Sequence, residues 1–434
     1  MYVRTLRLKN IRPFKELEFS FERPGVDPEA PLKERYSGWN VIAGDNASGK
    51  STLARALVLA LVGPDLAHTL VPDFAGWIRK GADAGQIAVE LVSGEEDRFK
   101  GGGNRIKEPF WAELSLIRRG EATELEAKPR TIKAHQNGPW AIGQGAWFSA
   151  AYGPFRRLFG SSPEAARLMA VPGKAPRYAT LFREDATLAE ATEWVKNLKF
   201  KTLEQQKPEK EVLDEVLRFL NDDFLRRGFQ VDEVNSNGLW LTGAGGVRLA
   251  LAEMSDGYRS SLALLMDLLR HMVAVYGSGG LLKTDADTGM LFVPHAGVVI
   301  IDEVDSHLHP EWQRLIGAWL KRRFPAVQFI TTSHSPFVVQ ATDPGGLYVL
   351  PSPDDARPPM RVPEPERLKS VIGTADEVLR GAPFEMEHTR SPVVVEKRRE
   401  YSRLKAVEAA RPLSSEERSR QQALLPFIRS EFQD

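Results

Sequence analysis

The run Trp39-Asn40-Val41-Ile42-Ala43-Gly44-Asp45-Asn46-Ala47-Ser48-Gly49-Lys50-Ser51 restricts the fold of this chain more than any other segment. A short apolar stretch with strand character enters Gly44-x-x-x-x-Gly49-Lys50-Ser51. An apolar helical pattern over 51–62 follows, ended by Gly63-Pro64. Strand, glycine-bounded loop and helix in that order turn successive backbone N–H groups inward, and the helix N-terminus adds partial positive charge. Such a loop is built to hold phosphate. Gly44, Asn46, Ser48 and Gly49 would form its wall, Lys50 would reach the outer phosphates, and Ser51, followed by Thr52, would bring a hydroxyl to Mg2+.

Three further elements bear on the same chemistry. Val298-Val299-Ile300-Ile301 is a buried strand ending in Asp302-Glu303. At the carboxyl edge of a sheet these two carboxylates can divide the work, Asp302 on the metal and Glu303 as general base for an attacking water. Met254-Ser255-Asp256-Gly257 opens a helix, so Ser255 and Gly257 could form a second phosphate-binding terminus. An ordinary N-cap serine is the plain alternative. Thr331-Thr332-Ser333-His334 follows another buried strand and places an imidazole where it could meet the terminal phosphate or the water.

Composition removes other chemistries. Lys plus Arg and Asp plus Glu are each 58 in 434 residues, so the chain is neither a basic nucleic-acid coat nor an acidic solvating chain. With 0 Cys, disulfide frameworks, thiolate metal sites and cysteine nucleophiles are excluded. A metal must then be held by oxygen or imidazole. No apolar run reaches the roughly 18 residues a membrane span needs, and Met1-Tyr2-Val3-Arg4 carries no apolar signal core, so a soluble cytoplasmic protein with no membrane partner is expected.

Along the chain, residues 1–21 alternate as strands around the turn Ile11-Arg12-Pro13-Phe14, and Ile87, Val89 and Leu91 mark another strand. Gly101-Gly102-Gly103 reads as a turn. Thr187-Leu188-Ala189-Glu190 and Ser414-Ser415-Glu416-Glu417 have the form of capping boxes. Helices are expected over 209–225, 250–275 and 310–323, and a hairpin over 229–242 turning at Asn235-Ser236-Asn237-Gly238. This gives an α/β chain in four parts: an N-lobe with the P-loop (1–103), a mixed α/β insertion (104–245), a C-lobe (246–365) and a helical extension (366–434).

The order of the four elements resembles the ABC-class ATPases, in the branch of SMC and RecF proteins and of the ATPase domains of OLD-family nucleases. Leu8-Lys9-Asn10-Ile11-Arg12-Pro13-Phe14 is similar to the amino-terminal strand pair of that branch. Asp302-Glu303-Val304-Asp305-Ser306-His307-Leu308-His309-Pro310 looks like the acidic strand end and D-loop of AAA-type ATPases from bacterial antiphage defence operons, including the Septu and retron kinds. The resemblance implies a split-lobe P-loop ATPase that binds ATP and Mg2+. It implies phosphate and metal roles for Lys50, Ser51 and Asp302, catalytic roles for Glu303 and His334, and contact by Ser255 and Gly257 with ATP on a second subunit. A homodimer or higher homo-oligomer through an ATP sandwich, and a separate nuclease effector, are what such a protein would assemble with. The family's Q-loop glutamine is unassigned between Gln86 and Gln144.

The long separation of Lys50 from Ser255 and the lack of a membrane span set the chain apart from transporter nucleotide domains, and no N-K-x-D base reader of a GTPase is present. The basic runs Arg156-Arg157, Arg226-Arg227 and Lys321-Arg322-Arg323 could meet the phosphate backbone of a nucleic acid, although such charge runs are more often solvated faces. A RecF-like DNA-repair ATPase is the alternative reading. The charged tail around Lys397-Arg398-Arg399, Tyr401, Leu404 and Val407 is either a grip for a partner or a hairpin packed on its own ATPase body.

Overall fold

The computed structural model describes residues 1–99, 108–127, 137–141, 147–225, 228–277, 279–355 and 357–428. Gly101-Gly102-Gly103, Gln144 and Arg226-Arg227 lie outside them.

Two sheets enclose the P-loop helix. The first is antiparallel, ordered β2-β1-β4-β5-β6, from Tyr2–Ile11 (β1), Phe14–Ser20 (β2), Ala84–Val92 (β4), Phe110–Arg119 (β5) and Ala122–Ala127 (β6). The second is ordered β16-β15-β3-β14-β13-β7, from Trp39–Gly44 (β3), Ser149–Tyr152 (β7), Gly297–Ile301 (β13), Val327–Thr332 (β14), Leu347–Leu350 (β15) and Met360–Arg361 (β16). Its strands run parallel except for the edge strand β16.

Strict alternation along these strands explains why both faces are buried. Ile42, Val298, Ile300 and Ile330 join the core around the P-loop helix, while Val41, Val299, Ile301 and Phe329 join the core on the other side. That second core is closed by helices Ala189–Leu203, Lys207–Asn221, Asp256–Tyr276 and Pro310–Arg323. Gln328 is the polar exception within β14. Its amide is buried and satisfied, accepting the Val3 N–H at 2.7 Å and donating to the Val3 carbonyl at 3.0 Å. Val3 lies at a register shift of β1 against β4. The Gln328 amide thus joins the two sheets at a bulge, and the Tyr348 hydroxyl also joins them, donating to the Ser20 carbonyl at 2.7 Å.

The segment 104–245 is more integral than an insertion. β4 pairs with β5 across the expected boundary, and β7 pairs with β13 in the parallel sheet. Among its described residues, its helices and the hairpin Gln230–Asn235 (β8) and Gly238–Thr242 (β9), which pairs with Arg248–Ala250 (β10) in a sheet β10-β9-β8, lie apart from the two main sheets. The hairpin and the helix Pro310–Arg323 fall where the sequence places them. Ser414 and Glu417 do form a capping box. Thr187 does not: its helix starts at Ala189 with Leu188 as cap residue, and Thr187 is buried instead.

The P-loop helix does not stop at Gly63-Pro64. It runs from Lys50 to Leu70, interrupted at Gly63, where φ is 80°. Pro64 cannot donate to the helix, and the kink at Gly63 leaves room for Trp140, whose indole N–H donates to the Ala60 carbonyl at 2.8 Å. This helix is also apolar and long enough to pass a membrane-span criterion, yet it is a core helix. A Cβ on residue 63 would lie 2.6 Å from the Trp140 ring. Gly63→Ala is therefore expected to destabilise the protein by about 2 kcal/mol, from overpacking and a left-handed alanine together, read as a lower denaturant midpoint with unchanged m-value.

Candidate functional site

Three of the four sequence elements emerge at the carboxyl edge of the parallel sheet, because β3, β14 and β13 are adjacent and point the same way. The P-loop leaves β3, Asp302-Glu303 leaves β13, and His334 leaves β14.

The loop is shaped by close approach. A Cβ at Gly44 would meet the Leu350 carbonyl at 2.5 Å, and one at Gly49 would meet Phe14 at 2.7 Å and Pro13 at 2.8 Å. Gly49 has φ 99°, Gly44 φ 152° and Ala47 φ 62°. The turn between β1 and β2 therefore braces the loop from outside. The Lys50 ammonium folds back on the carbonyls of Gly44 at 2.9 Å and Asp45 at 2.6 Å. Burial pulls its pKa down, offset by Asp302, Glu303, Asp45 and Asp305. The Ser48 hydroxyl is buried with no hydrogen-bond partner among the described residues. A cation held by loop carbonyls, an orphaned hydroxyl and glycines at both ends of the loop where a Cβ would clash fit a phosphate chain. Asn46 is exposed on the loop, Thr52 is buried behind it, and Ser51 borders a cavity of about 410 Å3 with Asp302, Glu303, Ser306 and His307.

The acidic pair is fixed from several sides. The Thr332 hydroxyl donates to Asp302 Oδ1 at 2.6 Å and accepts the Glu303 N–H at 2.8 Å. The Asp302 N–H donates to the Tyr152 carbonyl at 2.8 Å. Glu303 stands at φ 47°, a left-handed conformation that costs a non-glycine residue about 1–2 kcal/mol. Its carboxylate accepts from the Ser306 hydroxyl at 2.9 Å.

Arg156 completes this turn. The sequence suggests a surface cation for nucleic acid; the structure buries it. Its Nη1 donates to the carbonyls of Gly153 and Asp302, and its Nη2 to those of Glu303, Val304 and Ser306, at 2.9–3.4 Å. Burial lowers its pKa to about 10, against the field of Asp305, Asp302 and Glu303, so it stays charged at neutral pH. Lys321 and Arg323 are likewise committed inside the fold. Lys321 binds Asp343 at 2.9 Å, and buried Arg323 pairs with Asp222 and stacks on Trp319. Only Arg322 of that run is exposed.

His334 is half-buried after β14, its pKa lowered by burial and by Lys50, with Asp305, Glu303 and Asp45 acting the other way. The imidazole is therefore neutral at neutral pH. Ser255 is exposed and makes no side-chain capping bond to its own helix, unlike an ordinary N-cap serine. Gly257 is needed because a Cβ there would meet the His307 carbonyl at 2.7 Å. Neither lines the cavity beside Ser51. His309 has a structural task, accepting the Glu311 N–H as N-cap of Pro310–Arg323.

Gln86 is not at this site. It lies within β4, paired with Lys9 and Ser115 in the antiparallel sheet. Sequence reading also missed Gln313, whose amide donates to the Leu308 carbonyl at 2.9 Å and accepts from Ser335 at 2.7 Å, tying the D-loop to the loop of His334. A lone glutamine on a helix gives no motif to find it by.

The tail is a hairpin packed mainly on itself. Helix Pro392–Ala410 has no buried residue, and Arg398 donates to the carbonyls of Phe427 and Ile428 at 3.0 Å.

Residues 161–340 match the family described as "AAA domain, putative AbiEii toxin, Type IV TA system", and residues 5–103 match an AAA domain family. The Septu protein PtuA of Bacillus mycoides is 24% identical over 80% of this chain and 40% of its own length. The "Retron Ec83 probable ATPase" of Escherichia coli is 35% identical over 24% of this chain and 17% of its own. This chain thus spans about two fifths of the length of the first of these relatives. The SMC head domain of Thermotoga maritima superposes with a TM-score of 0.39 at 16% identity, over 80% of this chain and 94% of that one. With P-loop, acidic strand end and histidine loop on one parallel-sheet edge, the chain matches AAA-domain ATPase families over two stretches and is similar to the Septu protein PtuA and to retron-associated ATPases.

Proposed function

We propose that this protein binds and hydrolyses ATP, dimerises through it, and by that cycle regulates a separate effector, a nuclease, in bacterial antiphage defence. The observation that carries the reading is the convergence of Lys50, Ser51, Asp302, Glu303 and His334 on one sheet edge, with an exposed, uncommitted Ser255 turned to other use. The P-loop N–H groups and Lys50 hold the phosphate chain. Ser51 and Asp302 are the residues to hold Mg2+, whose charge neutralises the phosphates when bound. Glu303, held by Ser306 and its own constrained backbone, takes the proton from the attacking water. Neutral His334 orients water or the terminal phosphate. Ser255 and Gly257, at the head of the helix Asp256–Tyr276, meet the terminal phosphate on a second subunit.

Lys50→Ala is expected to weaken ATP binding at least tenfold by calorimetry. Glu303→Gln should retain binding, lower kcat by about 10²–10⁴-fold and accumulate an ATP-bound dimer in light scattering. A monomer under saturating ATP at high protein concentration would count against the reading.

The alternative is a RecF-like ATPase with ATP-gated DNA binding. The internal commitment of Arg156, Lys321 and Arg323 favours the first reading over this one. Tight, salt-sensitive DNA binding by the isolated protein would reverse the order.

The pH profile follows from His334. A lowered pKa means the proton binds only below the ordinary histidine value of about 6.5. The rate should be flat from pH 8 down to that value and fall below it. In His334→Ala the rate is lower throughout and the fall between about pH 6.5 and 5 is absent.

A further inference from the structure

Arg156 belongs to none of the elements assigned to the chemistry, yet it touches the turn of Glu303 at four carbonyls within residues 302–306. We propose that Arg156 is a positioning residue for hydrolysis: its guanidinium, opposed by the Thr332 hydroxyl, fixes Glu303 in the left-handed conformation that aims its carboxylate. The inference rests on the reading of Glu303 as the water-activating base.

The acceptors of Arg156 decide the role. Within the turn they are the carbonyls of Asp302, Glu303, Val304 and Ser306, and none is a carboxylate. A planar, always-charged fork with donors at fixed angles recognises the shape of such a turn, which a lysine ammonium cannot reproduce. The Glu303 residue is gripped at both ends. Its carbonyl accepts from Arg156 Nη2 at 3.1 Å, and its N–H donates to Thr332 Oγ1 at 2.8 Å. A residue at φ 47° with no glycine freedom persists only when its surroundings over-determine it. These two contacts, together with the Ser306 N–H on the Glu303 carbonyl at 2.9 Å and the Ser306 hydroxyl on its carboxylate, over-determine it.

The loop that delivers Arg156 is itself anchored. Tyr152, at the end of β7, accepts the Asp302 N–H through its carbonyl and donates its hydroxyl to Asp267 at 3.1 Å, halfway along Asp256–Tyr276. One five-residue loop therefore ties the helix headed by Ser255 to the turn of Glu303. Arg157, the next residue, plays no part in this; its guanidinium lies 5.1 Å from the Phe155 ring.

The test uses the full chain, with Arg156→Lys, Thr332→Val and Thr332→Ser. Nucleotide affinity is read by calorimetry and the hydrolysis rate constant in single turnover with Mg-ATP. Arg156→Lys and Thr332→Val are expected to lower the rate constant about 10²-fold while affinity stays within about threefold, and Thr332→Ser to recover most of the rate. A parental rate in Arg156→Lys overturns the proposal, as does loss of affinity in step with rate in both variants. If Arg156→Lys shows no cooperative melting, Thr332→Val decides alone, and a parental rate there is fatal. A parent no faster than Lys50→Ala overturns the hydrolytic reading and this inference with it; a fast parent matched by its variants overturns only the inference.

Discussion

The Thr332 hydroxyl lies between the two acidic residues of the site, donating to the carboxylate of Asp302 and accepting from the backbone of Glu303. That single group makes the ends of β13 and β14 one rigid unit. It can do so because the strands are hydrogen-bonded neighbours in parallel register, with Ile301 opposite Thr331. β3 pairs on the other side of β14, so the P-loop is placed against the same unit by backbone hydrogen bonds. The geometry of the site is thus inherited from sheet register, which two buried faces hold firmly.

Charge is arranged around this frame with care for desolvation. Lys50 and Arg156 are both buried cations, and both are satisfied by carbonyl oxygens, with carboxylates nearby but not in contact. For Lys50, loop carbonyls are exchangeable partners that phosphate oxygens can replace. For Arg156 they are permanent partners, since the fork fits the turn. The two residues look alike in a sequence, yet on the proposed reading they do opposite work, one holding a place for a ligand and the other holding the protein.

Well-satisfied polar groups link elements that are distant in sequence. Gln328 ties β14 to β1, Tyr152 ties β7 to the helix Asp256–Tyr276, and Gln313 ties the D-loop to the histidine loop. Each is a polar group in apolar surroundings, costly to leave unpaired and therefore specific about its partner.

The sequence by itself determined the strands around the P-loop, the buried strands before Asp302 and His334, the helix Pro310–Arg323 and the hairpin at Asn235-Ser236-Asn237-Gly238, because each is encoded by local period and turn chemistry. The motifs of Lys50, Asp302-Glu303 and His334 were legible too, since each sits at a fixed spacing from a strand or helix end, and the structure brings them to one sheet edge. Strand pairing across 104–245, the continuation of the P-loop helix past Gly63, and the burial of Arg156 were decided by the tertiary structure alone. In each case the deciding partner is remote in sequence. β5 and β6 complete the antiparallel sheet, Trp140 fills the kink, and the carbonyls of 302–306 turn an apparent surface cation into an internal clamp. Local patterning specifies which groups reach an edge; only packing across the chain specifies which of them are already taken.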